Sequence, residues 1–480
     1  MKITRFVLFL WSVAFFGFAT FTLLKNGYLS DIVLRQISDH VIRSRVNAEQ
    51  TLDTMPYAIP SLIYDAAAWA FGSIHEIVPI LTAILASGGL VWLAANPAAS
   101  RRSPLWTGLF TATLVLNPIL LWTATATGGR ALAVLIFAYM CCALLQIAER
   151  HDLGGYLKFG LASSLFILTD PTAIVLCVAM IPWIVLTAAS DRTERHPVAY
   201  YLVTFAPIAM ATLSVCYLNW AELGHFSPFI TPLNAGNGQD FTWDAALHAA
   251  GVTDRLDIVP IFMIMTLLFF PVLILVRPLE ACPARRAFVV ALLTVVTIPI
   301  IVSLAAIPYH VLDYLPYLAG PLIIVALRTS TRHRTAVLGI QIASIPLGWT
   351  LLAVPGSSLP EGWAQAMTGK GIAGHSDDKA IAAWIVNNKK YIALDPITDY
   401  RVVALVGRSD DFVMPVDFVS QTTAVQPDAR AILTTRPNSA QGETDRINGQ
   451  APMMWSAGMP GYKLAFERGI YRVWVRSAHS

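Results

Sequence analysis

The chain has 480 residues, 56% hydrophobic and 13% charged, with a formal net charge of +3. Soluble domains carry about 25% charged residues, so the composition excludes an ordinary soluble protein and indicates an integral membrane one. The five cysteines, Cys141, Cys142, Cys177, Cys216 and Cys282, form no CxxC and avoid the polar C-terminal tail, which argues against a disulfide framework.

A basic start, Lys2 and Arg5, leads into a long apolar run ending at Leu24. The run lacks a small-x-small cleavage pattern and is long enough to span a bilayer, so it reads as an uncleaved first helix. Further apolar segments follow at 76–95, 105–122, 131–148, 157–169, 172–189, 198–219, 258–276, 287–306, 311–327 and 335–354. The length rule makes this roughly eleven spans. With Met1 inside, the inner loops hold Arg101 and Arg102, Arg150 and Lys158, Arg192 and Arg195, Arg285 and Arg286, and Arg332 and Arg334. The short outer loops hold little beyond Arg130 and Arg255. This alternation follows the positive-inside rule. It puts the first outer loop, 25–75, the second long one, 220–257, and the tail on the outer side, the periplasm of a bacterium.

The organisation expected is a transmembrane domain over 1–354 and a soluble domain over 355–480. In the tail, Asp377 to Asn388 reads as a helix, and 401–406, 431–434 and 470–475 read as strands separated by turn clusters. The fold class is therefore mostly α, polytopic, with a small C-terminal α+β periplasmic domain.

The polar residues at the outer ends of the spans are the candidates for chemistry, because ionisable groups there are costly and mark function. The first loop offers Tyr28, Asp31, Asp39, His40, Arg43, Arg45, Tyr57 and Asp65. Later loops add Arg130, Asp170, His225, Tyr309 and His310. Structural roles compete. Asp31 is placed to cap a helix starting at Ile32, and Asp170 to cap one starting after Pro171. The spacing of Ile32, Val33, Leu34, Ile37, Val41 and Ile42 predicts an amphipathic helix at the interface. No phosphate-cradling GxxxxGK[ST], helix-opening GxGxxG or HExxH occurs.

The layout resembles the polytopic GT-C glycosyltransferases of the protein mannosyltransferase and aminoarabinose-transferase type. Gly27-Tyr28-Leu29-Ser30-Asp31 resembles their acidic residue just after the first span. Pro56-Tyr57-Ala58-Ile59-Pro60 resembles their proline-rich run before the second. Asn117-Pro118, Thr127-Gly128-Gly129-Arg130, Leu168-Thr169-Asp170-Pro171 and Pro308-Tyr309-His310 resemble further family segments. This chain departs from the pattern in three places. Ile32 stands where a second acid is usual, Asp170 stands where many members carry Lys, and His310 follows the Tyr where Arg more often precedes it.

The resemblance implies transfer of a sugar, with inversion, from a polyprenyl-phosphate donor to a lipid, glycan or protein acceptor. It implies Asp31 as base, with Asp39 second, and Arg43, Arg45 and Arg130 as ligands of the donor phosphate. Tyr309 and His310 would complete that site, and Tyr28, Tyr57, Asp65, Asp170 and His225 would line the substrate pocket. The residues give no diagnostic spacing for a divalent metal, and nothing points to nucleic acid. A flippase of lipid-linked sugars and a non-catalytic envelope scaffold are the competing readings. The first would call for ionisable groups near the bilayer midplane and repeated halves.

Overall fold

A computed structural model describes residues 2–43, 58–71, 77–95, 104–150, 152–170, 197–223, 258–275, 314–328, 333–352, 362–372, 375–388, 392–396, 398–408, 412–413, 430–439, 445–451 and 453–477, with isolated positions between them. These form two units. One comprises Met1–Tyr28, Met55–Leu62 and Ile80–Gly371; the other comprises Leu29–Thr54, Ile63–Pro79 and Ile372–Ser480.

The first unit is helical. Helix α1, Lys2–Lys25, buries Phe16, Ala19 and Leu23 and exposes Phe6, Leu10, Trp11, Phe18 and Phe21. Large apolar groups facing outward along a whole helix are what lipid, not water, stabilises. Gly27, at φ 84°, ends α1. Gly27 N–H donates to Leu24 O, and Tyr28 N–H to Leu23 O. This paired capping pattern needs a left-handed residue, and glycine adopts that conformation without steric cost.

Helices α2 (Asp31–Arg43), α3 (Ala58–Phe71) and α4 (Val78–Ala94) come next in the chain. The apolar segment 105–122 is not one straight span. It forms α5 (Pro104–Leu116) and α6 (Pro118–Ala126), bent by 63°. Pro118 removes a backbone donor and disfavours helical backbone at Asn117. Asn117 then caps α6, its Oδ1 accepting from Ile119 N–H and Leu120 N–H. Its Nδ2 donates to Phe269 O at 2.9 Å. Asn117→Ala removes the cap and strands a buried carbonyl, so it is expected to destabilise by about 2–4 kcal/mol, read as thermal unfolding in detergent.

Helices α7 (Arg130–Arg150) and α8 (Leu153–Ile167) pack together, and α8 packs on α9 (Pro197–Leu223). Small residues allow the close approaches, as is usual between membrane helices. A Cβ at Gly160 would lie 2.7 Å from Thr204 O, and one at Gly320 would lie 2.8 Å from Cys141 Sγ. Beyond α10 (Ile258–Phe269) and a short helix at Val272–Leu275, a 3-10 turn at Leu315–Leu318 runs into α11 (Ala319–Arg328). Tyr317 of that turn packs edge-on against Phe137 and Phe166. Helix α12 (Arg334–Leu352) and a short α13 (Trp363–Met367) complete the unit. Trp363 stacks on Trp349 and donates its indole N–H to Thr125 Oγ1.

Among the described residues three helices are long and apolar enough to cross a membrane, or four if the bent α5–α6 pair is one span. Val78–Ala94, Leu153–Ile167 and Leu315–Leu327 are apolar but shorter. Of the other segments expected to span, almost all of 287–306 and most of 172–189 lie outside the described residues.

The second unit holds a five-stranded sheet in the order β2-β1-β3-β5-β4. The strands are β1 (Ile392–Ala393), β2 (Phe412–Val413), β3 (Ala431–Thr435), β4 (Tyr462–Arg468) and β5 (Tyr471–Arg476). β1 runs parallel to β2 and β3, while β3–β5 and β5–β4 are antiparallel. Helix α14, Ser376–Asn388, matches the expected one. The run 401–406, expected as a strand, is instead a helix, α15 (Tyr400–Val406). Its valines suggest a strand by residue type. However, Val402, Val403 and Val406 fall on one buried face at helical spacing, and Gly407, at φ 70°, ends the helix. It forms the crossover between parallel β1 and β2, the usual place for a helix.

Candidate functional site

Helix α2 belongs to the second unit. Its start is capped by Ser30, whose Oγ accepts from Ile32 N–H, so Asp31 is the first helical residue and not the cap. Val33, Leu34, Ile37 and Val41 form its buried stripe, and α15 packs against it. The amphipathic helix is present as expected, with α15 as its partner within this unit.

That packing brings Arg401, from the start of α15, onto Asp31. Arg401 Nε donates to Asp31 Oδ1 and Nη2 to Oδ2, both at 2.8 Å. A planar guanidinium matched to both carboxylate oxygens is the strong form of this interaction. The Arg401 guanidinium also lies 5.6 Å from the Tyr400 ring centroid, and Arg35 of α2 lies 4.9 Å from the same ring. Burial and the Asp31 charge push the Tyr400 hydroxyl up to about 12. Asp31 is still 44% exposed, so part of its carboxylate faces outward.

Behind this pair runs a polar chain. His375 Nε2 is 2.9 Å from Leu29 O and 3.9 Å from Asp31 Oδ1. Its Nδ1 is 3.1 Å from Asp378 Oδ2. Tyr471 of β5 donates its hydroxyl to Asp378 Oδ1 at 2.6 Å. Burial works against a charged His375 ring, but the bonds to Asp378 and Leu29 and the nearby Asp31 outweigh it and raise its pKa. Burial likewise opposes charge on Asp378, but its hydrogen bonds from His375 and Tyr471 and the charge of Arg401 hold it below the usual carboxylate range. His375 sits at φ 57°, a conformation rare outside glycine, just before helix α14.

A second acidic group lies deeper. Asp399 is fully buried, and neither of its oxygens has a hydrogen-bond partner among the described residues. Burial, with the charges of Asp445 and Asp395, raises its pKa well above the usual range. Such a group holds its proton to higher pH in the fold than in the unfolded chain. It therefore costs stability increasingly as pH rises from about 4 toward the folded-state value. Asp399→Asn is expected to raise the melting temperature of this unit at pH 8 and to change it little near pH 4, read as melting temperature against pH.

Elsewhere in the second unit His40 stacks on Tyr64 with ring centroids 5.0 Å apart, and its Nδ1 lies 3.5 Å from Asp65 Oδ1. Asp39 is half-buried on α2.

In the first unit, Arg130 begins α7 after the Gly128-Gly129 turn, where Gly128 has φ 57°. Its Nε lies 3.3 Å from Asp170 Oδ2, and Asp170 is fully buried at the end of α8. Asp170 is thus an ion-pair partner, and residues 171 and 172, where the helix it was expected to cap would start, lie outside the described residues. Nearby, Ile59 N–H donates to Leu168 O. Tyr28, also in this unit, is buried. Among the described residues no group of three or more His, Cys, Asp or Glu side chains is placed to hold a metal ion.

No protein-family model matches the chain, and no curated protein matches its sequence. Solved structures do match. ArnT from Cupriavidus metallidurans bound to undecaprenyl phosphate aligns over 98% of both chains, with TM-score 0.58 and 14% identity. The same protein in its apo state aligns over 98% of both chains with TM-score 0.54 and 14% identity. The chain has the ArnT fold.

Within this ArnT fold, the expected site residues fall in three groups. Asp31, Asp39 and Asp65 lie in the second unit, and Tyr28, Arg130 and Asp170 in the first. Arg45, Tyr57, His225, Tyr309 and His310 lie outside the described residues, as does the side chain of Arg43. Sequence reasoning missed Arg401, His375, Asp378 and Tyr471. The signals for them were slight: a histidine before a helix carrying Asp377-Asp378, and an arginine inside a run of valines.

Proposed function

We propose that the chain is a GT-C-type glycosyltransferase that moves a sugar from a polyprenyl-phosphate donor to a hydroxyl-bearing acceptor. The observation that carries this reading is Asp31. It is a partly exposed carboxylate at the start of the helix after α1, in a chain with the fold of a protein crystallised with undecaprenyl phosphate.

In this reading Asp31 accepts the proton of the acceptor hydroxyl as its oxygen attacks the anomeric carbon. The bond from that carbon to the phosphate oxygen breaks, and polyprenyl phosphate leaves with the electron pair. Attack from the face opposite the leaving group inverts the centre. Arg130, Arg43 and Arg45 are the proposed ligands of the departing phosphate, whose growing charge an arginine fork stabilises. Asp39 is the second candidate for the base. The inner-loop arginines support a cytoplasmic N-terminus and a periplasmic tail.

The test supplies purified protein with a panel of undecaprenyl-phosphate-linked hexoses, pentoses and aminopentoses, together with envelope lipid and glycan acceptors. Release of undecaprenyl phosphate that depends on both acceptor and protein is the expected result. No release with any donor would remove the transferase reading.

A further inference from the structure

Asp31 and Arg401 stand 370 positions apart in the chain, yet they make a bidentate charged contact within the second unit. A carboxylate presents about four lone-pair directions. Arg401 takes one on each oxygen, which fixes the plane of the carboxylate and leaves the other two directions open. The 44% exposure of Asp31 agrees with that count. Arg401 itself is only 21% exposed and lies against the Tyr400 ring, so it is a fixed partner and not a roaming surface charge.

The fixation extends further. His375 holds Leu29 O, two residues before Asp31, and is itself held by Asp378 and through it by Tyr471 on β5. The last turn of chain before Asp31 and the Asp31 carboxylate are thus both set by the C-terminal sheet domain. A reacting group misplaced by about 1 Å can lose about 10²-fold in rate, so the elements that place a base matter as much as the base.

We propose that Arg401 is a positioning residue for Asp31, and that the C-terminal domain is thereby part of the catalytic apparatus and not an accessory appended to it. This rests on the reading of Asp31 as the base. Arg401 sets the direction in which the two free lone-pair sites of Asp31 meet an acceptor hydroxyl. His375 supports the same geometry from the backbone side.

The experiment uses the full-length protein, with undecaprenyl-phosphate-linked sugars as donors and rates normalised to folded protein. Arg401→Gln is expected to lower kcat about 10²-fold with donor KM within about threefold of wild type. Arg401→Lys is expected to fall between the two, because an ammonium keeps the charge and loses the fork. Wild-type kcat in Arg401→Gln beside an inactive Asp31→Asn would overturn the positioning role and leave the base reading standing. The exchanged pair Asp31→Arg with Arg401→Asp separates the two ideas further. It restores the contact without a carboxylate at position 31, and is expected to be inactive; activity in it would overturn the base reading itself.

A second arm needs no turnover. Carbodiimide-driven amine labelling of Asp31, read by mass spectrometry, is expected to rise at least about fivefold in Arg401→Gln, since a carboxylate freed from a bidentate partner is open to reagent. Equal labelling in the two proteins would overturn the inference.

Discussion

Asp31→Asn is expected to abolish sugar transfer, lowering the rate by about 10²–10⁴-fold, the range that a positioned general base contributes. The amide keeps the size of the side chain and one acceptor oxygen, so Arg401 Nε or Nη2 retains a partner. The charge and the ability to take a proton are lost. Rates are taken per folded molecule, so that any stability lost at the half-buried pair is separated from loss of chemistry. Release of undecaprenyl phosphate per folded molecule is the measurement. Full activity would remove Asp31 from the chemistry and recast it as a staple between α2 and α15. Asp39→Asn is the companion measurement, and a greater loss there than at Asp31 would transfer the base to Asp39.

The two aspartates illustrate what the sequence exposes and what it conceals. The apolar run of α1, the polar stretch after it, the helical spacing over 32–42 and the helix beginning near Asp377 all depend on neighbours a few residues apart, and each is present in the structure. Strands β3 and β5 were legible for the same reason, as short branched or aromatic runs between turns. The run 401–406 misled because residue type and burial periodicity disagreed, and the periodicity prevailed. The bend at Asn117 was written in the Asn-Pro pair, but the apolar composition on both sides masked it.

The partner of Asp31 was beyond reach of such reasoning. Nothing local to Arg401 tells which carboxylate 370 positions earlier it will meet. The same holds for Leu29 O and His375, which are 346 positions apart. Long-range pairing is decided by which helix faces pack, and here the packing of α2 on α15 makes that choice.

Arg130 and Asp170 were both singled out from sequence, but not as a pair, and the pair yields the second large effect. Asp170 is fully buried and Arg130 is 13% exposed, with Nε and Oδ2 3.3 Å apart. Removing one partner of a buried ion pair leaves the other charge uncompensated and costs about 3–5 kcal/mol. Asp170→Ala is therefore expected to lower the melting temperature in detergent sharply and to reduce the folded yield. Replacing both residues together, Arg130→Met with Asp170→Leu, removes both charges and is expected to recover most of that stability. This double variant then separates structure from chemistry. If Arg130 also serves the donor phosphate, the protein will fold and fail to release undecaprenyl phosphate. If it folds and turns over at the wild-type rate, Arg130 has no part in phosphate binding, and Arg43 and Arg45 become the only proposed arginine ligands left. The outcome matters because Arg130 Nε already lies 3.3 Å from a buried carboxylate, which competes with a phosphate for the same cation.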